Sequence, residues 1–361
     1  MERADAPLLR SIWADPDDDV VRWVYADWLE ENGQSERAEF MRVQLGLARD
    51  VSENNPLKRR EAVLLQKHRK LLLVDLPKRL HRDIRFDRGF PYPTLCCNTL
   101  YGYRLLHQQH PFAAPLWHVS FTLLAVCLND LAKAPEFAVI DNLGFLPHGL
   151  RGKEGLSRLL QNPHLTRVHT LTLALNQLDD TCIRQLTDAN RFPQLRVLDL
   201  SHNSFTAAAV AELAGCPQFA ELRELRMTRL RLGSEGVRAF AETECWPHIE
   251  ELHLGSNLIG DFGLECLLRW PRLANVHTLH LDSNVISNDG IQMLAVSPAI
   301  DNLKVLTLTQ NQIGMRGVEA LVASPFLARI ERMELHGNPC TGRHACRNLI
   351  QERFAHRVRM G

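Results

Sequence analysis

From residue 165 onward the apolar positions fall into a fixed pattern, LxxLxLxxNxL. It returns as VHTLTLALNQL, LRVLDLSHNSF, LRELRMTRLRL, IEELHLGSNLI, VHTLHLDSNVI, LKVLTLTQNQI and IERMELHGNPC. Its asparagine position falls at Asn176, Asn203, Leu230, Asn257, Asn284, Asn311 and Asn338, each 27 residues after the last. The L-x-L alternation is the period-two signature of a strand with its leucines in a core. A small residue follows six positions after the asparagine, at Cys182, Ala209, Gly236, Gly263, Gly290 and Gly317. Apolar residues come one and four positions later, from Ile183 and Leu186 in the first copy to Val318 and Leu321 in the last, and that spacing predicts a helix. Prolines at 193, 217, 247, 271, 298 and 325 then end the helix and open the return to the next strand.

One strand, turn, helix and loop cannot bury its own apolar face, whereas stacked copies can. Parallel strands lie about 4.8 Å apart and packed helices about 8–10 Å, so the stack must curve with its strands inside. The expected fold is therefore α/β, a horseshoe solenoid with a parallel concave sheet and convex helices. The residues between the buried leucines face the concave side: Thr172, Ala174, Asp199, Ser201, Arg226, Thr228, His253, Gly255, His280, Asp282, Thr307, Thr309, Glu334 and His336.

The pattern weakens toward the N-terminus. DNLGFLPHGLR around Gly149 reads as a degenerate repeat, because Gly155, Leu156 and Pro163 keep the phase. FDRGFPYPTLCC and APLWHVSFTLL look strand-like, and residues 81–164 are expected to be divergent repeats that form an N-terminal cap. Residues 341–361 are expected to close the array as a helix with Leu349, Ile350, Phe354 and Val358 on its apolar side. Residues 1–80 read as a small all-α unit. DPDDD precedes one helix that Gly33 ends, Ser35 is expected to cap a second, and a third follows Pro56.

The 27-residue consensus resembles leucine-rich repeat proteins, of the long-helix class that includes ribonuclease inhibitor. That resemblance implies a structural ladder of asparagine side chains at Asn176, Asn203, Asn257, Asn284, Asn311 and Asn338, interrupted at Leu230. VYADWLEENGQSERAEFMRVQ resembles the repeat-companion domain at the N-terminus of bacterial repeat proteins, through Tyr25, Ala26, Asp27, Trp28, Leu29, Glu30, Glu31, Gly33, Arg37, Ala38, Glu39, Phe40, Arg42 and Gln44. FDRGF and RFAHRVR also resemble segments common in such proteins. Neither resemblance implies a chemistry.

Charge changes the picture by segment. The chain of 361 residues has 42 basic and 42 acidic side chains, which removes the bulk-charge argument for a nucleic-acid or membrane partner. Yet residues 1–50 hold 6 basic and 12 acidic groups and residues 51–90 hold 11 and 5, while the remainder is balanced at 25 and 25. The simplest expectation is that the acidic helices pack beside the basic one and the charges partly cancel. The alternative is that the basic helix 58–79 binds RNA or an acidic partner. With acids in the first five residues and no long apolar run, a cytoplasmic location with no membrane span is expected. Nine cysteines without CxxC spacing fit reduced thiols that fill core positions.

Chemistry motifs are absent: there is no HExxH, GxSxG, GxGxxG or GxxxxGK[ST]. DPDDD lacks the glycine that a calcium loop needs at its sixth position, which is Val20. His253 and His280 occupy equivalent places in successive repeats with Asp282 beside them, a spacing a metal or a hydrolase could use, but solvated polar residues read by a partner are preferred. No catalytic residue, metal or cofactor is assigned. The expected function is a non-enzymatic, monomeric scaffold that binds a protein on the concave face through Asp199, Arg226, His253, His280, Asp282, Thr307, Glu334 and His336.

Overall fold

The computed structural model describes residues 3–15, 18–50, 55–76, 84–92, 94–97, 100–109, 118–121, 128–243, 246–342, 344–354 and 357–360. The chain divides into two compact units, one of residues 1–121 with 135–143 and one of residues 122–134 with 144–361.

The first unit opens with four helices, α1 (Ala6–Ala14), α2 (Asp19–Glu31), α3 (Ser35–Arg49) and α4 (Leu57–Leu72). Asp18 caps α2 by accepting a hydrogen bond from the Val20 amide, and Gly33, at φ +73°, supplies the left-handed residue after it. Ser35 is not the cap expected of it; Gln34 holds that place and Ser35 is the first helical residue. The four helices bring Leu9, Ile12, Tyr25, Leu29, Met41 and Leu45 into one buried cluster with Phe90, and Phe40, Val43, Leu64 and Leu72 into another. The Tyr25 hydroxyl donates to Asp5 Oδ2 at 2.9 Å, and Arg3 bridges Asp5 to Asp75.

FDRGFPY is an antiparallel hairpin, β1 (Arg85–Asp87) with β2 (Phe90–Tyr92). Its two turn residues, Arg88 and Gly89, both have positive φ, which matches the twist of a tight two-residue connection. Then come β3 (Thr94–Cys97), α5 (Leu100–Gln109) and β4 (His118–Phe121), with β3 and β4 paired in parallel. Phe121 packs against Tyr103 and Phe137.

In chain order α6 (Leu128–Leu131), β5 (Asn142–Phe145) and α7 (Gly152–Leu160) follow. Gly144, within β5, stands 27 residues before Leu171, so the decayed repeat keeps its strand.

The second unit carries the regular array. Its strands are β6 (Thr170–Thr172), β7 (Val197–Asp199), β8 (Glu224–Arg226), β9 (Glu251–His253), β10 (Thr278–His280), β11 (Val305–Thr307) and β12 (Arg332–Glu334). All pair in parallel in strict register, so that Leu171, Leu198, Leu225, Leu252, Leu279, Leu306 and Met333 form one row across the sheet. Every residue of that row is fully buried. The helices between strands are α8 (Asp180–Ala189), α9 (Ala207–Ala214), α10 (Gly233–Ala241), α11 (Gly260–Arg269), α12 (Asn288–Ala295) and α13 (Met315–Ala323), each packed on the next. Pro217, Pro271, Pro298 and Pro325 each open a short 3-10 turn on the return path.

The asparagine side chains link successive turns. Asn257 N donates to Asn284 Oδ1 at 2.8 Å, Asn284 N to Asn311 Oδ1 at 2.9 Å, and the Nδ2 groups donate back to Leu254 and Leu281 carbonyls. Leu230 still donates its amide to Asn257 Oδ1, but it has no side-chain amide to pass on to the preceding turn. Its apolar side chain is buried instead.

The C-terminal segment departs from the expected single helix. α14 runs from His344 to Phe354, with Cys346, Ile350 and Phe354 buried, and Val358 then belongs to a further strand, β13 (Val358–Arg359), paired with β12. The exposed amides and carbonyls of β12 reward another parallel strand more than one more helical turn would.

Candidate functional site

Strand alternation puts two side chains per repeat on the open side of the sheet, one before and one after each buried leucine. The residues named from the sequence are the ones after it. Asp199, Arg226, His253, His280, Thr307 and Glu334 are register partners in one row, from β7 to β12. Asp282 lies beyond β10 beside that row, and His336 stands exposed beyond β12. The row before the leucine holds Thr170, Val197, Glu224, Glu251, Thr278, Val305 and Arg332. Sequence reasoning passed over this row, although its members repeat at the same 27-residue step.

The face has two chemically different parts. Toward β11, Asp282 is fully engaged. Its Oδ1 accepts from Thr309 N at 2.9 Å and Thr309 Oγ1 at 2.7 Å, and its Oδ2 accepts from the Thr307 hydroxyl. Because that hydroxyl donates to Asp282, His280 Nδ1, 3.0 Å away, must donate to Thr307 Oγ1. His280 thus carries a proton on Nδ1. Burial, then the neighbouring His253, pushes its pKa down to about 4.

Toward β8, the groups are less completely paired. The His253 and His280 rings stack with centroids 4.2 Å apart and planes inclined by 20°. His253 Nε2 lies 3.4 Å from Glu224 Oε1 and 3.8 Å from Glu251 Oε2. It is buried, yet it has no aligned hydrogen-bond partner. Arg226 Nε donates to Glu224 Oε1. The His253 ring, against the opposing effect of burial, holds the Glu224 carboxyl below the usual range, and Arg226 adds to it. Glu224, Glu251 and His253 each offer one ligand atom, all within 4.8 Å of one another. Among the described residues, the grouping whose ligand atoms come together is this one and not His253, His280 and Asp282: the His280 Nδ1 and Asp282 oxygens, 3.9 Å apart, are already committed to Thr307 and Thr309.

The N-terminal charges cancel only in part. Asp27 and Glu30 of α2 pair with Arg42 of α3, and Glu39 of α3 pairs with Arg60 of α4. Lys58, Arg59, Lys67, Arg69 and Lys70 of α4 are exposed. The expected basic helix 58–79 is shorter than the sequence suggested: α4 ends at Leu72, residues 73–76 form a turn, and residues 77–79 lie outside the described residues; no described helix is long and apolar enough to cross a membrane.

Two family models, both for the leucine-rich repeat, match the chain, one at residues 247–268, 272–295 and 301–322 and the other at residues 194–216. A comparison with curated proteins returned no match. Among solved structures, an internalin from Listeria monocytogenes is similar at 18% identity, with a TM-score of 0.37, over 60% of this chain and 53% of that one. The match spans about half the length of that internalin chain. The matched segments fall on β7 and β9 to β11 and in the same 27-residue phase as the strand register. The chain contains leucine-rich repeats, and its fold is the α/β leucine-rich-repeat solenoid expected from the sequence.

Proposed function

We propose that the protein is a non-enzymatic scaffold that binds a protein partner on the concave face of the repeat sheet. The observation that supports this reading is the unbroken register of β6 to β12, which sets mostly charged and polar side chains, with Val197 and Val305 among them, in two straight rows on a hydrogen-bonded platform. Six strand spacings give a face of about 29 Å, enough for a standard interface. Asp199, Arg226, His253, His280, Asp282, Thr307, Glu334 and His336 supply its recognition groups, now joined by Glu224 and Glu251. In the same reading the repeats are of the ribonuclease-inhibitor-like class, residues 1–80 are a bacterial repeat-companion domain, and the protein works in the cytoplasm as a monomer. Residues 81–164 are then the N-terminal cap, 165–340 the repeats and 341–361 the C-terminal cap.

The test compares the tagged full chain with the triple variant Arg226→Ala/His253→Ala/His280→Ala, and with Glu265→Ala/Arg269→Ala on the exposed side of α11 as a control. Proteins retained by the wild type and the control but lost by the triple variant, at unchanged thermal midpoint, support the concave face. Equal affinity of a purified partner for all three chains overturns it. Exposed Lys58, Arg59, Lys67, Arg69 and Lys70 of α4 favour a second reading, an acidic partner or RNA on that helix. It predicts binding that is lost on Lys67→Glu/Lys70→Glu and is indifferent to the concave variant.

A further inference from the structure

Glu224 and Glu251 are direct register partners on β8 and β9, so two carboxylates face each other across adjacent strands. Like charges in that position destabilise a sheet unless a cation answers them. Arg226 answers Glu224 alone, and together the three groups keep one net negative charge. His253 Nε2, buried and without an aligned hydrogen bond, lies within reach of both carboxylates at 3.4 and 3.8 Å. With metal–ligand distances of about 2.0–2.2 Å and tetrahedral angles, neighbouring donor atoms stand about 3.4 Å apart. Glu224 and His253 already have that separation. Glu251, whose side chain is 47% exposed, can close the remaining gap by a rotamer change.

We propose that Glu224, Glu251 and His253 bind a divalent first-row transition-metal cation of the zinc type, with a fourth coordination position open to solvent. One imidazole and two carboxylates form a mixed nitrogen and oxygen set, which suits zinc or cobalt better than calcium or magnesium, whose sites are built from oxygen. His280 stacks on the ligand ring and confines it, while its own Nδ1 is spent on Thr307. Arg226 competes for Glu224 Oε1, so the metal takes the other carboxylate oxygen or displaces the guanidinium. The site does not depend on whether a protein partner binds the same face.

The experiment uses the full chain stripped with chelator, titrated with Zn²⁺ by calorimetry and with Co²⁺ by visible absorption. One equivalent of Co²⁺ with ligand-field bands typical of four or five coordination is expected. Glu251→Gln and His253→Gln should each weaken binding by about tenfold or more. Glu319→Gln, exposed on α13 and outside this grouping and its support, should leave it unchanged. Metal held by the cysteines would instead show near-ultraviolet thiolate charge transfer and persist in every variant. That result overturns the proposal, as does equal affinity across the four chains or the absence of a saturable site. Thermal midpoints in chelator check folding; if His253→Gln does not fold, Glu251→Gln, at the more exposed position, decides alone.

Discussion

Asn284→Ala takes one rung from the middle of the asparagine ladder, and its cost can be worked from the partners it leaves behind. Asn284 is fully buried. Its Oδ1 accepts from Asn257 N at 2.8 Å and from Ile259 N at 3.4 Å, and its Nδ2 donates to Leu254 O at 2.9 Å. Alanine keeps the backbone bond from residue 284 to Asn311 Oδ1, and Leu254 O keeps a second donor in Asn257 Nδ2 at 3.0 Å. What is lost is the acceptor for two buried amides. An orphaned buried amide costs about 1–3 kcal/mol, and the bond at 3.4 Å weighs least, so a loss of about 2–4 kcal/mol is expected. Urea unfolding followed by far-ultraviolet dichroism should show it as a lower midpoint. Because repeat arrays need not unfold in one step, hydrogen exchange of the Asn257 and Ile259 amides should be read as well, and both should lose protection. Asn311→Ala, which removes the acceptor of the Asn284 and Ile286 amides, should cost a similar amount. A loss below about 1 kcal/mol with protection intact would refute the reasoning, since it would mean that the amides find another acceptor at no cost.

Two further outcomes follow from the N-terminal unit and the cysteines. Burial pushes the Asp5 carboxyl up, but hydrogen bonds from Arg3 and Tyr25 outweigh it and leave the pKa lowered. The stability this adds is present above the unfolded carboxylate value of about 3.9 and is lost as pH falls through the folded one. Asp5→Asn should therefore lower the thermal midpoint more at pH 7 than at pH 2.5; an equal difference at both would contradict the assignment. Burial raises the Cys182 and Cys340 thiols to about 11. Alkylation at pH 8 followed by peptide mass spectrometry should find these two protected in the folded chain, while the partly exposed Cys266 reacts.

The repeat array was legible because a 27-residue step fixes phase, and a strand of three residues needs only its middle leucine to be placed. Leu171 to Met333 sit where the spacing puts them. The first unit was read less well. FDRGFPY alternates like a repeat strand, yet Arg88 and Gly89 turn it back as a hairpin, and a two-residue turn without an Asn-Gly or Asp-Gly signature is weakly marked. Val358 suits a helix and a strand equally, and the open edge of β12 decides between them, which no local pattern contains. The candidate metal group was missed for a different reason. Counting only the residue after each buried leucine kept His253 and discarded Glu224 and Glu251, which period-two alternation turns to the same side. The signal was present, two residues before Arg226 and His253.

Hydrogen-bond satisfaction also divides the work along the open face. His280, Thr307, Asp282 and Thr309 already answer one another, so an incoming group that bonded to them would have to replace bonds already made, and the net gain would be small. Their contribution is rigidity: they fix the His280 ring and, through the stack, the plane of His253. At β8 and β9 the balance is reversed. A buried imidazole nitrogen without an aligned partner and a carboxylate pair answered by one guanidinium have interactions still to make. The buried His253 nitrogen gains most from a new partner, whether a cation or a side chain of another protein. Recognition on this face should therefore be concentrated at Glu224, Arg226, Glu251 and His253, with the β10 to β12 side acting as the support that holds them in place.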